Sequence, residues 1–515
     1  MKKKLINTFN EYKFYILINI IILYALYIFM IGQNLSNSND GIWNVFMHKA
    51  AGREVSLGRF LLPIFDRMRF GIVHTGMNAV MFFPTLVLSY VIIWKTLDIK
   101  NLYAKYIGGI IFSASPVVCD TLSYQYTSVS YGLGMLFACL SAYLISKADR
   151  NNPYISKRNI YPILGAGFLM ACTMSCYQAY LGVTALVVSC FILKKIRTGK
   201  RNGLSVHLIA FISSSVVGML FYLLFYHINK FVWHIEASDY MGADSISFSS
   251  IIKNFPDSIL SAYSEFNKYT FQYNKFGFRS FFIILVIISF VSLIYYFKNN
   301  FSLISIVLYF SVILLIPAAC NIILLIAPQA ELTVLMSGAL FLAPALLAGC
   351  TADALSLSAE KMPLKYIFVL SVSAFIVSNI SIISNDQLAM LQGEKSAASI
   401  ESMIASSMIN KGFLPDSTEI AIIGRPSDSP LFYKSYSWEN ANDYAQVGNF
   451  WSGSFSSPAS WRGVALKCLG LNFKYCSSEE YDMIYDSEEF KSMPVFPAEG
   501  GMLLINNILV IKISE

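Results

Sequence analysis

The chain has 515 residues, of which 56% are hydrophobic, 15% aromatic and only 13% charged. A typical soluble domain carries about 25% charged residues, so a water-soluble multidomain enzyme is excluded. The net charge of +7 would suit a nucleic-acid partner, but the charges fall in short clusters between apolar runs, the pattern of a polytopic α-helical membrane protein. The nine cysteines are scattered, without the close paired spacing of a zinc ribbon or finger.

A transmembrane helix needs about 20 mostly apolar residues. In chain order, eleven segments are predicted to span: Phe14–Ile31, Gly76–Trp94, Tyr106–Cys119, Tyr131–Ile145, Tyr161–Met174, Gln178–Leu193, Val206–Tyr226, Ser280–Phe297, Phe301–Ala318, Thr333–Thr351 and Leu364–Ile383. The first is too long for a signal peptide, and no small-residue cleavage site follows it. The fifth and sixth together occupy 33 residues, about 50 Å of helix. Two full spans and a turn need more, so this pair is predicted to be broken at Ser175–Tyr180, where non-helical backbone lines a cavity. Half of the 38 lysines and arginines lie in the segments placed inside when the amino terminus is cytoplasmic. The positive-inside rule then puts the carboxy-terminal tail outside.

Three outside segments stand out: residues 32–75, residues 227–279 and the tail 385–515. In the tail, Ile400, Met403, Ile404 and Met408 recur at helical spacing and Gly412 follows as a stop. Thr418–Ile423 reads as a strand, and Met502–Ile505 and Ile508–Ile513 flank Asn506-Asn507 as a hairpin. A small α/β extracytoplasmic domain is the simplest reading, with residues 1–384 as the membrane domain. Cys468 and Cys476 would share an oxidising compartment, and spacing leaves a disulfide and two free thiols equally open. No P-loop, GxGxxG after a strand or HExxH is present, no internal repeat is visible, and no cofactor is implied.

Charges kept near a bilayer boundary are costly and therefore informative. After the first span come Asp40, then His48-Lys49 and Arg53-Glu54, then Gly58-Arg59 and Asp66-Arg67-Met68-Arg69. Ile42, Phe46 and Ala50, and Phe60, Ile64 and Met68, fall at helical spacing, which predicts amphipathic helices on the membrane surface. A carboxylate and a guanidinium at one membrane surface suit glycosyl transfer from a lipid phosphate. Asp40 would take the proton of an acceptor hydroxyl, and a planar Arg fork would hold the departing phosphate, with no metal ligand set required. Asp40 equally reads as the cap of the helix it precedes, and Arg53, Arg59, Arg67 and Arg69 as lipid-headgroup contacts. Glu54 and Asp66 are expected to pair with their basic neighbours. At the predicted break, Tyr177 and Gln178 offer hydrogen bonds to sugar hydroxyls, or ordinary interhelical packing. Tyr126 in the third outside loop reads as a sugar-stacking ring or as part of an interfacial aromatic belt.

Asp40 after the first span, Gly58-Arg59, Tyr177-Gln178 after the fifth and a small outside tail together resemble the phage-type O-antigen glucosyltransferases, serotype-converting membrane enzymes of GT-C architecture. The resemblance implies a glucosyl donor on undecaprenyl phosphate, a lipid-linked surface glycan as acceptor and chemistry at the periplasmic face of the bacterial inner membrane. It implies inversion with Asp40 as base and Arg59 on the donor phosphate, and a flippase and a polyprenyl-phosphate glucosyltransferase acting upstream. Nucleic acid is not among the implied partners. The chain departs from the family in having Asn39-Asp40 where two adjacent acids are common. Cys320–Glu331 also carries no arginine, which leaves a second phosphate contact to Arg53 or Lys230. An O-antigen polymerase or ligase, or a lipid-linked-sugar transporter, is the competing class. The late outside loop is too short and too poor in arginine for the first, and the spans hold few polar residues for the second.

Overall fold

The computed structural model describes residues 2–37, 42, 47–149, 156–199, 203–236, 238, 248–299, 302–356, 362–448 and 458–514. Among them, nine helices are long and apolar enough to cross a membrane, or ten if one bent pair counts as a single span. The helices that precede the tail are α1 (Lys2–Gly32), α2 (Gly52–Ser56), α3 (Leu62–Asp66), α4 (Thr75–Thr96), α5 (Leu102–Ser113), α6 (Pro116–Ser123), α7 (Ser128–Ile145), α8 (Lys157–Cys176), α9 (Leu181–Arg197), α10 (Leu204–Trp233), α11 (Phe248–Tyr269), α12 (Phe278–Asn299), α13 (Leu303–Cys320), α14 (Ile322–Ile326) and α15 (Gly338–Ser356).

The expected count of eleven gives way at two places. The predicted span Tyr106–Cys119 is split between α5 and α6, which are bent by 51°. Pro116 lacks an N–H and holds Ser115 extended (ψ 150°), so the helix stops and restarts. In the predicted span Ser280–Phe297, α12 has a shorter apolar part, Phe278–Ile294. The expected break after the fifth span is present: α8 ends at Cys176, Tyr177 is extended (φ −162°, ψ 112°), and a 3-10 turn Gln178–Tyr180 leads into α9.

Small residues let the helices approach closely, as packing within a membrane requires. A Cβ at Gly167 of α8 would lie 2.6 Å from Val217 on α10, and one at Gly218 would lie 2.9 Å from the Gly167 carbonyl. Gly108 of α5 and Gly349 of α15 both face the Trp94 ring at the end of α4, where a Cβ would stand 2.5 and 2.9 Å from it. Trp94 Nε1 donates to Tyr15 Oη of α1 at 2.8 Å, which ties three helices and α1 together.

The last span runs without interruption into the tail as α16 (Met362–Asn410), 49 residues long, about 74 Å at 1.5 Å per residue. Its far half packs on a four-stranded sheet made of β1 (Glu419–Ile423), β2 (Lys474–Tyr475), β3 (Met502–Ile505) and β4 (Ile508–Lys512), in the order β2-β1-β4-β3. β1 is parallel to β2 and β4, and β3 is antiparallel to β4. Asn506 and Asn507 turn the hairpin with φ of 50° and 66°, the left-handed pair that a two-residue turn demands. Every residue of β4 is buried because both faces are covered. Ile400, Ile404 and Met408 of α16 cover one face, and Tyr481, Ile484 and Phe490 cover the other. Cys468 is exposed, Cys476 is buried, and both are free thiols.

Gly108→Leu forces a branched side chain against the Trp94 ring and the Ala345 carbonyl. Overpacking of this kind costs about 1–3 kcal/mol, so the variant is expected to unfold at a lower temperature than the native protein in detergent, as thermal scanning would show.

Candidate functional site

The break between α8 and α9 builds the most unusual cluster at that end of the bundle. With Tyr177 extended, its ring turns against Tyr131 of α7 at 4.5 Å between centroids and against Tyr180 at 5.3 Å. The Arg59 guanidinium lies over the Tyr177 ring at 4.9 Å and donates from Nη1 to Tyr131 Oη at 3.3 Å. A guanidinium stacked on an aromatic face gains about 0.5–2 kcal/mol and keeps its remaining N–H groups in one plane.

Arg59 is carried there by a loop strapped to the bundle through its own carbonyls. Gln178 Nε2 donates to the Leu57 carbonyl at 2.8 Å and also faces Tyr222 Oη of α10 at 3.3 Å. Tyr226 Oη donates to the Ser56 carbonyl at 3.0 Å, and the Leu61 N–H donates to the Ser175 carbonyl at 3.1 Å. Gly58 has a φ of +78°, and a Cβ there would overlap the Tyr222 hydroxyl. Both facts require glycine in front of Arg59. Lys230 lies one turn beyond Tyr226, its Nζ 5.6 Å from that ring.

A second set of contacts makes the rest of this loop rigid. Asp66 and Arg69 form a fully buried ion pair at 2.5 Å. Asp66 also accepts from the Ala50 N–H at 2.7 Å, while Arg69 donates to the carbonyls of His48 and Ile72. Burial pushes the Asp66 carboxyl up against the opposing pull of Arg69, and burial pushes the His48 imidazole down. Glu54 does not pair with its basic neighbours. It accepts from the Ala51 N–H at 2.7 Å and from Tyr126 Oη at 3.4 Å, because its position in the first turn of α2 faces an unsatisfied backbone donor.

Of the residues singled out in the sequence, Arg59, Tyr177 and Gln178 come together. Tyr126 is buried at Glu54 with its ring 4.4 Å from His48. Arg53 is exposed on α2. Asp40 lies outside the described residues, as do residues 43–46 of the first predicted surface helix; its last part, residues 47–50, is not helical, because Met47 pairs with Ile72 in an antiparallel bridge. The second predicted surface helix is α3 with a 3-10 turn Arg67–Arg69. Its exposed Ile64 and Met68, followed by exposed Phe70 and Ile72, give the apolar outward face of a segment that rests on a bilayer. Sequence reasoning missed Tyr222, although Tyr222, Tyr226 and Lys230 at four-residue spacing mark one helix face. It also passed over Asp120, a fully buried acid of α6 near Ser123, whose hydroxyl stands 3.5 Å from Asp120 Oδ1.

The sequence profile of the family described as Glucosyl transferase GtrII matches residues 29–344, a stretch that takes in the whole of this cluster. No curated protein and no solved structure matches the chain.

Two outcomes follow from the geometry. Gly58→Ala carries about 1–3 kcal/mol of backbone strain as well as the overlap with Tyr222, so transferase activity is expected to fall, and adding Tyr222→Phe is expected to restore part of it. Asp66→Ala leaves the Arg69 guanidinium buried without its counter-charge, a loss of about 3–5 kcal/mol that would appear as a lowered unfolding midpoint.

Proposed function

The chain belongs to the glucosyl transferase GtrII family and is a glycosyltransferase; we propose that it moves a glucosyl residue from undecaprenyl-phosphate glucose to a lipid-linked O-antigen at the periplasmic face of the bacterial inner membrane. The proposal places a GT-C-like catalytic domain in residues 1–384 and an extracytoplasmic α/β domain in residues 385–515. The observation that carries it is the Arg59 guanidinium, held flat on Tyr177 and bonded to Tyr131 beside the break in the bundle. A fixed, planar cation at a membrane surface is what a lipid phosphate leaving group needs.

In this mechanism the acceptor hydroxyl gives its proton to the Asp40 carboxylate as its oxygen attacks the anomeric carbon. The bond from that carbon to the phosphate oxygen breaks, and the electron pair leaves with the polyprenyl phosphate. Arg59 N–H groups meet the charge as it develops, which is where a preformed donor lowers the barrier most. One displacement inverts the anomeric configuration. Gln178 acts through Leu57 to keep Arg59 in register, and Tyr177 presents the ring on which the guanidinium rests. Arg53 and Lys230 are the proposed second contacts to phosphate, and Tyr126 a contact to sugar. An upstream flippase and a polyprenyl-phosphate glucosyltransferase supply the donor.

Mass analysis of the surface polysaccharide tests this directly. Asp40→Asn keeps the shape and removes the base, so glucosylation is expected to disappear while the protein still reaches the membrane; normal modification by that variant ends the proposal. Arg59→Lys replaces the fork with a point charge and is expected to lower the rate by about 100-fold, the scale of one lost charge-stabilising donor.

A further inference from the structure

The hydrophobic core around the C-terminal sheet contains one residue from the far end of the sequence. Ile42 is 1% exposed and packs in the same cluster as Trp461, Val464 and Ala465. These three belong to α17 (Pro458–Val464) and the π turn Ala465–Leu469 that follows it. Gly463 stands directly against the Ile42 backbone: a Cβ there would overlap the Ile42 carbonyl, and it would lie 3.0 Å from Ile42 Cγ2.

Six residues earlier the same segment is held again. Ser36 donates from its N–H and its hydroxyl to Glu394 Oε1 of α16, at 3.4 and 3.3 Å. Lys467 Nζ reaches the same carboxylate oxygen at 2.6 Å and the Ser36 hydroxyl at 2.9 Å. Ser36 and Glu394 are buried, and the side chains of Lys467 and Glu394 are 11% and 8% exposed. Asn37 N–H donates to the Ser123 carbonyl at the end of α6, so the segment is also fixed to the membrane bundle. A buried ion pair contributes little net stability, because desolvation offsets the attraction; what it does impose is one geometry.

We propose that the C-terminal unit is a positioning element of the active site, in which Glu394, Lys467 and Gly463 hold the segment that bears Asp40. This rests on the reading of Asp40 as the base. In the sequence Asp40 falls between Asn37 and Ile42, and both of these flanking residues are held, Asn37 by the membrane bundle and Ile42 by the C-terminal core. The unit is therefore part of the catalytic apparatus rather than a separate acceptor-binding module, and Glu394, Lys467 and Gly463 act through Asp40 without touching substrate. A displacement of about 1 Å at a reacting group costs up to about 100-fold in rate.

The test uses the full-length protein in lipid nanodiscs with undecaprenyl-phosphate glucose as donor and lipid-linked O-antigen as acceptor. Lys467→Met and Gly463→Ala are expected to lower kcat by about 10- to 100-fold while KM for both substrates stays near native values; both also lower the unfolding temperature, the first by leaving Glu394 buried without its counter-charge and the second by the overlap with the Ile42 backbone. Lys467→Arg restores the ion pair and is expected to recover kcat. If Gly463→Ala fails to insert, the comparison of Lys467→Met with Lys467→Arg decides alone. Near-native kcat in Lys467→Met, in a protein whose Asp40→Asn variant is inactive, overturns the positioning role and leaves the base intact. A change confined to KM for the acceptor overturns it too, and marks the unit as a glycan-binding surface. Activity in Asp40→Asn removes the base, and the positioning role with it.

Discussion

A guanidinium resting on a phenol ring at a helix break is the contact around which this end of the molecule is arranged. Arg59 can lie on Tyr177 only because α8 stops at Cys176 and Tyr177 turns out of the helical path. The loop can bring Arg59 there only because Gly58 adopts a φ of +78° under the Tyr222 hydroxyl. The carbonyls of Ser56 and Leu57 then take hydrogen bonds from Tyr226 on α10 and from Gln178 in the turn at the break. A charge in such a position is neither loose at the surface nor sealed in the core. Its ring and hydroxyl partners satisfy part of its donor set and orient the rest.

The loop that carries Arg59 is as firmly built as the helices. Asp66 and Arg69 cross-link its two halves by gathering the Ala50 N–H and the carbonyls of His48 and Ile72. Its outward face is apolar, while its inward face holds the Asp66–Arg69 pair and the hydrogen bonds that it gathers. That inversion of the usual order for a soluble loop is what a segment between bilayer and protein requires.

Much of this was legible in the residues themselves. The bilayer's demand for long apolar stretches exposes the spans, and the arithmetic of 33 residues for two crossings exposed the break at Tyr177. The hairpin was readable because Asn-Asn tolerates positive φ at both turn positions. The bend at Pro116 was not, for a physical reason: Pro84, Pro162 and Pro344 sit inside helices that continue past them, so proline alone does not announce a stop within a membrane. Tyr222 escaped notice because its role depends on a glycine far away in the chain. The contacts of Ser36 with Lys467, 431 residues apart, leave no local pattern at all, since neither a serine nor a lysine signals a remote partner.

The uninterrupted α16 has a consequence for how the tail is built into the protein. A domain on a flexible tether forgets its orientation, but one mounted on a helical mast inherits the phase of that helix. Each added or removed residue rotates everything beyond it by about 100° and shifts it by 1.5 Å. Glu394 lies on the mast, about 32 residues from its start at Met362, so its heading toward Ser36 is set by residue count along the shaft. Indels in this stretch are thus unlike indels in a linker: composition can drift there, but length cannot.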